Sequence, residues 1–159
     1  MKDLDEIYWL LNIKIERDRK AKTISLSQSA YINKILRCFN LQEVKVILMP
    51  VDVNTKLSKD QCASSEKEKD HMKNVPYCQA IGSLMWAAIG TRPDIAFAVS
   101  LLSQFMESPG EVHWEVIKRV LRYLKGTKNN KLGIGKNKSG LVGYSDKNTD
   151  IRSQLILSL

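Results

Sequence analysis

Hydrophobic and polar residues alternate from Ile7 to Glu16. Ile7, Trp9, Leu11, Ile13 and Ile15 take one side of an extended strand, and Tyr8, Leu10, Asn12, Lys14 and Glu16 take the other. The charged run Arg17-Asp18-Arg19-Lys20-Ala21 separates this strand from a second alternating run, Thr23-Ile24-Ser25-Leu26-Ser27. The pair reads as an antiparallel hairpin. The spacing then becomes helical. Ala30, Tyr31, Ile35, Leu36 and Phe39 predict a helix, and Asn40 suits the left-handed residue that ends it. Residues 41–60 are irregular around Pro50, and the polar stretch from Cys62 to Asp70 reads as a surface loop or a short exposed helix. From Tyr77, the set Ala80, Ile81, Leu84, Met85 and Ala88 predicts an amphipathic helix to Gly90.

Two more helices carry start signals. Thr91-Arg92-Pro93-Asp94 offers a hydroxyl cap, an early proline and an acid in the first turn, with Ile95, Ala98, Val99, Leu102 and Phe105 as the buried side. Ser108-Pro109-Gly110-Glu111 has the capping-box pattern and opens a helix over 111–125. In that helix Trp114, Ile117, Leu121 and Leu124 line one flank, and Gly126 is the end. Short strand-like runs follow at 131–134 and 141–146. A hairpin, about four amphipathic helices and short carboxy-terminal strands, with no internal repeat, make the fold class α+β.

Composition agrees with a globular chain: 159 residues, 43% hydrophobic and 26% charged. The sequence has no apolar run long enough to span a membrane and no signal-peptide pattern. Cys38, Cys62 and Cys78 form neither a CxxC pair nor an even framework, so they read as reduced intracellular thiols without a zinc site. The net charge of +8 is unevenly placed. Residues 1–116 balance at 15 basic and 15 acidic, and 117–159 hold 10 basic and 2 acidic. Such asymmetry favours an anionic partner, with a solvated helix face followed by a basic loop as the plain alternative. Lys118, Arg119, Arg122, Lys125 and Lys128 form the row that would track phosphates without reading bases.

Catalytic patterns are scarce. There is no adjacent Asp-Asp pair. His71 and His113 lack a partner beside them in sequence and read as structural or exposed rather than as general bases. Gly133-Ile134-Gly135-Lys136 lacks the helix and serine of a phosphate-binding loop.

Several stretches resemble the reverse transcriptase region of copia-type retrotransposon polyproteins. They include Ile24-Ser25-Leu26-Ser27-Gln28, Lys56-Leu57-Ser58-Lys59, Val75-Pro76-Tyr77 and Ala80-Ile81-Gly82-Ser83-Leu84-Met85. They continue with Thr91-Arg92-Pro93-Asp94-Ile95-Ala96, His113-Trp114, Arg122-Tyr123-Leu124-Lys125-Gly126-Thr127 and Gly143-Tyr144-Ser145-Asp146. Order and spacing hold over about residues 1–146. The pairing of Thr-Arg-Pro-Asp-Ile with Arg-Tyr-Leu-Lys-Gly-Thr is the most specific part.

The resemblance implies three divisions of a partial reverse-transcriptase fold: residues 1–28 as a hairpin ending the palm, 29–127 as the helical thumb and connection, and 128–159 as the start of a ribonuclease H-like domain with an aberrant tail. It places the polymerase aspartates in a Tyr-x-Asp-Asp turn upstream of the position matching Met1. Asp146 would be the leading ribonuclease H carboxylate. One carboxylate does not hold the two Mg²⁺ ions of the intact family enzyme, so this chain is expected to bind no cofactor and to lack catalysis alone. The implied partners are an RNA/DNA template–primer duplex and the missing palm and fingers, with neither a membrane nor a small-molecule substrate. The implied setting is a cytoplasmic particle or the nucleus.

Departures from the family are local. Gly is usual where Asp5 and Asn12 stand. After Asp146 the sequence leaves the family pattern, as a short deletion and frameshifted tail would. The leading expectation is therefore a reverse transcriptase fragment with residual template–primer binding. A domesticated nucleic-acid-binding module is the alternative. A third is a poorly folded translation exposing Trp86, Ile95, Phe97 or Leu101.

Overall fold

The computed structural model describes residues 6–52 and 55–135. The fold is α+β, and the described residues form four antiparallel strands in spatial order β1-β2-β3-β4 beside a packed set of five helices. The strands are β1 (Trp9–Leu10), β2 (Ile13–Asp18), β3 (Thr23–Ser27) and β4 (Leu132–Gly135). The helices are α1 (Ser29–Cys38), α2 (Glu66–Lys73), α3 (Tyr77–Gly90), α4 (Ala96–Ser103) and α5 (Glu111–Gly126).

The single strand expected over 7–16 is in fact two strands and a tight turn. Leu11 and Asn12 both take left-handed backbone, with φ of 49° and 67°, and join Leu10 to its opposite number Ile13. Two consecutive left-handed residues match the twist of a two-residue hairpin turn. The register then sets Trp9 opposite Lys14, which removes Trp9 from the face shared by Ile13 and Ile15. Strict alternation cannot reveal such a reversal, because both arms keep the period of two. Asn12 stands where the resembled family has Gly, and Asn is the side chain that best tolerates this conformation.

At the β2–β3 turn, Asp18 Oδ1 accepts the backbone N–H groups of Lys20 and Ala21, both at 2.9 Å. β3 pairs on its far side with β4, Leu26 opposite Leu132 and Thr23 opposite Gly135. The strand expected at 131–134 thus completes the sheet begun by the first 28 residues. Leu10, Ile13, Ile15, Ile24, Leu26, Leu132 and Ile134 share one face, which the described residues leave half-exposed.

The helical core follows the predicted spacing. α1 buries Ile32, Ile35 and Leu36. Asn40 ends it at φ 54°, with Leu41 N–H donating to Leu36 O and Asn40 N–H to Arg37 O. This doubled bond pattern satisfies the last carbonyls of the helix. α3 lies against α1, α4 and α5, burying Ala80, Ile81, Leu84 and Ala87. Tyr77, also buried, donates its hydroxyl to Leu102 O at 2.8 Å, and burial pushes that phenol well up. The polar stretch at 62–70 resolves into α2, started by a reciprocal Ser65–Glu68 capping box.

Two helix starts differ from expectation. Thr91 does not cap α4. Its hydroxyl donates to Gln28 Oε1 at 2.8 Å in the interior, and a 3-10 turn, Pro93–Ile95, leads into the helix. α5 starts at Glu111 as expected, but Gly110 and not Ser108 is its N-cap residue, and His113 in the first turn reaches back, its Nδ1 accepting Gly110 N–H at 2.9 Å. Gly110 is required by close approach: a Cβ there would meet Gln61 O at 2.0 Å. Of the four apolar residues that a poorly folded translation would expose, Ile95 is fully buried, as its helical spacing predicts, Trp86 and Leu101 are half-buried and Phe97 is exposed.

Candidate nucleic-acid interface

α5 presents the predicted basic row because its apolar residues, Val116, Ile117, Val120, Leu121 and Leu124, turn inward. The intervening cations are forced outward. The irregular segment 44–52 crosses that outer side and engages three of them. Arg122 Nε donates to Lys45 O at 2.8 Å, and Lys125 Nζ donates to Val44 O at 2.8 Å. Arg119 Nη2 lies 3.7 Å from Asp52 Oδ2, with its Nε buried and unbonded among the described residues. Gly126 gives this segment room, since a Cβ there would stand 3.3 Å from that of Val46.

Lys118 pairs with Glu115 and approaches Glu111 at 3.9 Å. Lys128 Nζ reaches Asn33 Oδ1 at 3.5 Å. The row therefore divides chemically. Lys118 and Arg119 face carboxylates. Arg122, Lys125 and Lys128 meet neutral oxygens, keep their full charge and have spare donors. Neutral acceptors orient a cation without cancelling its field. Asp146 lies outside the described residues.

A second polar constellation was not anticipated as a unit. Arg92 is 2% exposed, and its guanidinium forms a two-pronged pair with Asp94, Nε to Oδ1 at 3.0 Å and Nη2 to Oδ2 at 2.6 Å. It also donates to Thr127 O at 3.1 Å and Thr127 Oγ1 at 2.6 Å, and stacks 5.5 Å from the centre of the Tyr123 ring. Tyr123 returns its hydroxyl to Asp94 Oδ2 at 2.7 Å. Burial alone would raise the Asp94 carboxyl, but the Arg92 and Tyr123 bonds outweigh it and hold it below the ordinary range. Burial, followed by the Asp94 bond, raises the Tyr123 phenol. This cluster joins the Thr-Arg-Pro-Asp motif to the Arg-Tyr-Leu-Lys-Gly-Thr motif, and Thr91 extends the join to Gln28. The available signal was the two motifs themselves, which hold Arg92, Asp94, Tyr123 and Thr127.

The histidines divide as well. His71 is exposed and lies 3.3 Å from Glu111. His113 is fully buried, stacked 4.0 Å from Phe105, and burial pushes its imidazole down with partial relief from the Ser58 backbone. Among the described residues no group of three or more His, Cys, Asp or Glu side chains is placed to hold a metal ion. Among the same residues no helix is long and apolar enough to cross a membrane.

No family model matches the chain, and no solved structure matches it. Curated proteins do. The Retrovirus-related Pol polyprotein from transposon TNT 1-94 of Nicotiana tabacum is 44% identical over 146 residues, 92% of this chain and 11% of the relative. That from transposon RE1 of Arabidopsis thaliana is 39% identical over 147 residues, again 92% of this chain and 9% of the relative. Secreted RxLR effector protein 161 of Plasmopara viticola is 50% identical over 78 residues, 47% of this chain and 54% of the relative. The chain spans about a tenth of the length of these transposon relatives. Over nine-tenths of its own length, its homologues are the retrovirus-related Pol polyproteins of copia-type transposons.

Proposed function

We propose that the chain corresponds to the part of a copia-type reverse transcriptase that follows the catalytic turn, comprising the end of the palm, the thumb and the connection into ribonuclease H. Its role is to hold a template–primer duplex, and it carries out neither polymerisation nor hydrolysis by itself. One observation carries this reading. Arg92, Asp94, Tyr123 and Thr127, from the two motifs most specific to the resemblance, are bonded to one another across the fold, and the neighbouring Thr91 bonds to Gln28. Motif residues consumed in this way act as architecture: they fix the relation between α4 and the end of α5 and so position the α5 cations. Arg122, Lys125 and Lys128, with charge intact, supply non-specific attraction to phosphate. Lys118 and Arg119 contribute by exchanging their carboxylate partners for phosphate oxygens.

The test is primer extension and hybrid cleavage by the purified chain with Mg²⁺, run beside duplex binding by fluorescence anisotropy. Binding that weakens with salt, with neither extension nor cleavage, is the expected result. Extension by even a few nucleotides, or no binding at 50 mM salt, overturns the reading.

A further inference from the structure

The charge count along the chain places the whole surplus after residue 116, yet the structure points to a second, better exposed source of positive charge. The β2–β3 turn carries Arg17, Arg19, Lys20 and Lys22 within six residues, with Asp18 the one acid among them. That acid is engaged by the turn, its Oδ1 accepting two backbone N–H groups. Arg19 makes an exposed pair with Glu6, a type of contact worth little. Arg17, Lys20 and Lys22 have no acidic partner among the described residues, in contrast to Lys118 and Arg119 on α5. Against this end of the hairpin lies an open hollow of about 340 Å³, lined by Arg17, Asp18, Arg19, Lys22, Thr23 and Ile24.

Geometry favours a charged strand as the occupant. The turn, with Lys22 at φ 55°, and the end of β2 bring these cations together at one end of the hairpin instead of along a helix. Arg17 and Lys22, which line the hollow, and Lys20 on the exposed turn beside it suit phosphate oxygens, because charge-assisted bonds there replace only water. We propose that the tip of the β2–β3 hairpin is a sugar–phosphate contact surface, with Arg17, Lys20 and Lys22 as its phosphate ligands. This inference rests on the reading that the chain holds a nucleic-acid duplex, and it moves the main electrostatic anchor from α5 to the hairpin.

The experiment measures binding of the full 159-residue chain to a labelled 20-base-pair RNA–DNA hybrid at 50 to 200 mM NaCl. The combined variant R17Q/K20Q/K22Q removes no side-chain hydrogen bond or ion pair among the described residues, so its melting temperature should match that of the unaltered chain. Losing three phosphate contacts should flatten the slope of log K against log salt by about 2 to 3, and weaken binding at 0.1 M roughly fiftyfold or more. The pair K20Q/K22Q, confined to the exposed turn, should flatten it by about 1.4 to 1.8. A tip variant with an unchanged slope beside an R122Q/K125Q variant with a flattened one overturns the hairpin surface and leaves the duplex-holding reading standing. No binding by the unaltered chain overturns both. Vesicles with phosphatidylserine test the other polyanion: binding to them that the tip variant abolishes, with hybrid binding intact, also overturns the proposal.

Discussion

The Arg92 cluster yields the sharpest stability prediction. Arg92→Ala removes four hydrogen bonds at once, two to Asp94 and two to Thr127, from a side chain only 3% exposed. Truncating one member of a fully buried pair costs about 3–5 kcal/mol. Asp94 is 37% exposed and keeps the Tyr123 hydroxyl, so water recovers part of that loss. Thr127 O, by contrast, gives up its charged donor. A net destabilisation of about 3 kcal/mol follows. Urea unfolding reads it as a midpoint lower by about 1.5 M, for a slope of about 2 kcal/mol/M. Arg92→Lys should recover less than half, because a single ammonium cannot fork onto the carboxylate and reach Thr127 together. Combined with Asp94→Ala, Arg92→Ala should cost at least about 1 kcal/mol less than the sum of the two single effects, the signature of a shared network. Additive losses, or an Arg92→Ala effect below about 1 kcal/mol, would refute the reasoning. The pH dependence adds a check on sign. Asp94 is held below its ordinary pKa, so its contribution is complete at neutral pH and is lost only as pH falls below about 4.

Two further outcomes are expected. Burial depresses His113, so folding favours its neutral form, and stability should decline on acidification below about pH 6.5 at up to about 1.4 kcal/mol per pH unit. His113→Asn should flatten that dependence in pH-resolved urea melts, and an unchanged profile would exclude His113 as its source. In the β1–β2 turn, Leu11 is exposed and left-handed, which costs a branched side chain without a packing return. Changing Leu11-Asn12 to Asn-Gly should stabilise by about 1 kcal/mol and raise the thermal midpoint by about 2–4 °C, whereas a fall would contradict the turn assignment.

Local patterning in the sequence determined the helices. The 3.6-residue spacing of Ile35, Leu84, Val99 and Leu121 with their neighbours marks four buried faces, and Asn40 marks a helix end, because both signals reside within a few residues of chain. The α+β class and the likeness to transposon Pol polyproteins followed from the same linear information. Tertiary structure decided where the polar groups go. Thr91 finds Gln28 across 63 residues, Arg92 finds Thr127 across 35, and Arg122 finds Lys45 O across 77. A capping motif and a buried hydrogen-bond partner look identical in sequence, and only the packed helices settle which acceptor is within 3 Å. The same holds for charge. Counting residues put the excess at 117–159, beginning on α5, but folding brought carboxylates to Lys118 and Arg119 and left Arg17, Lys20 and Lys22 facing water, since attraction depends on distance in space and not on position along the chain.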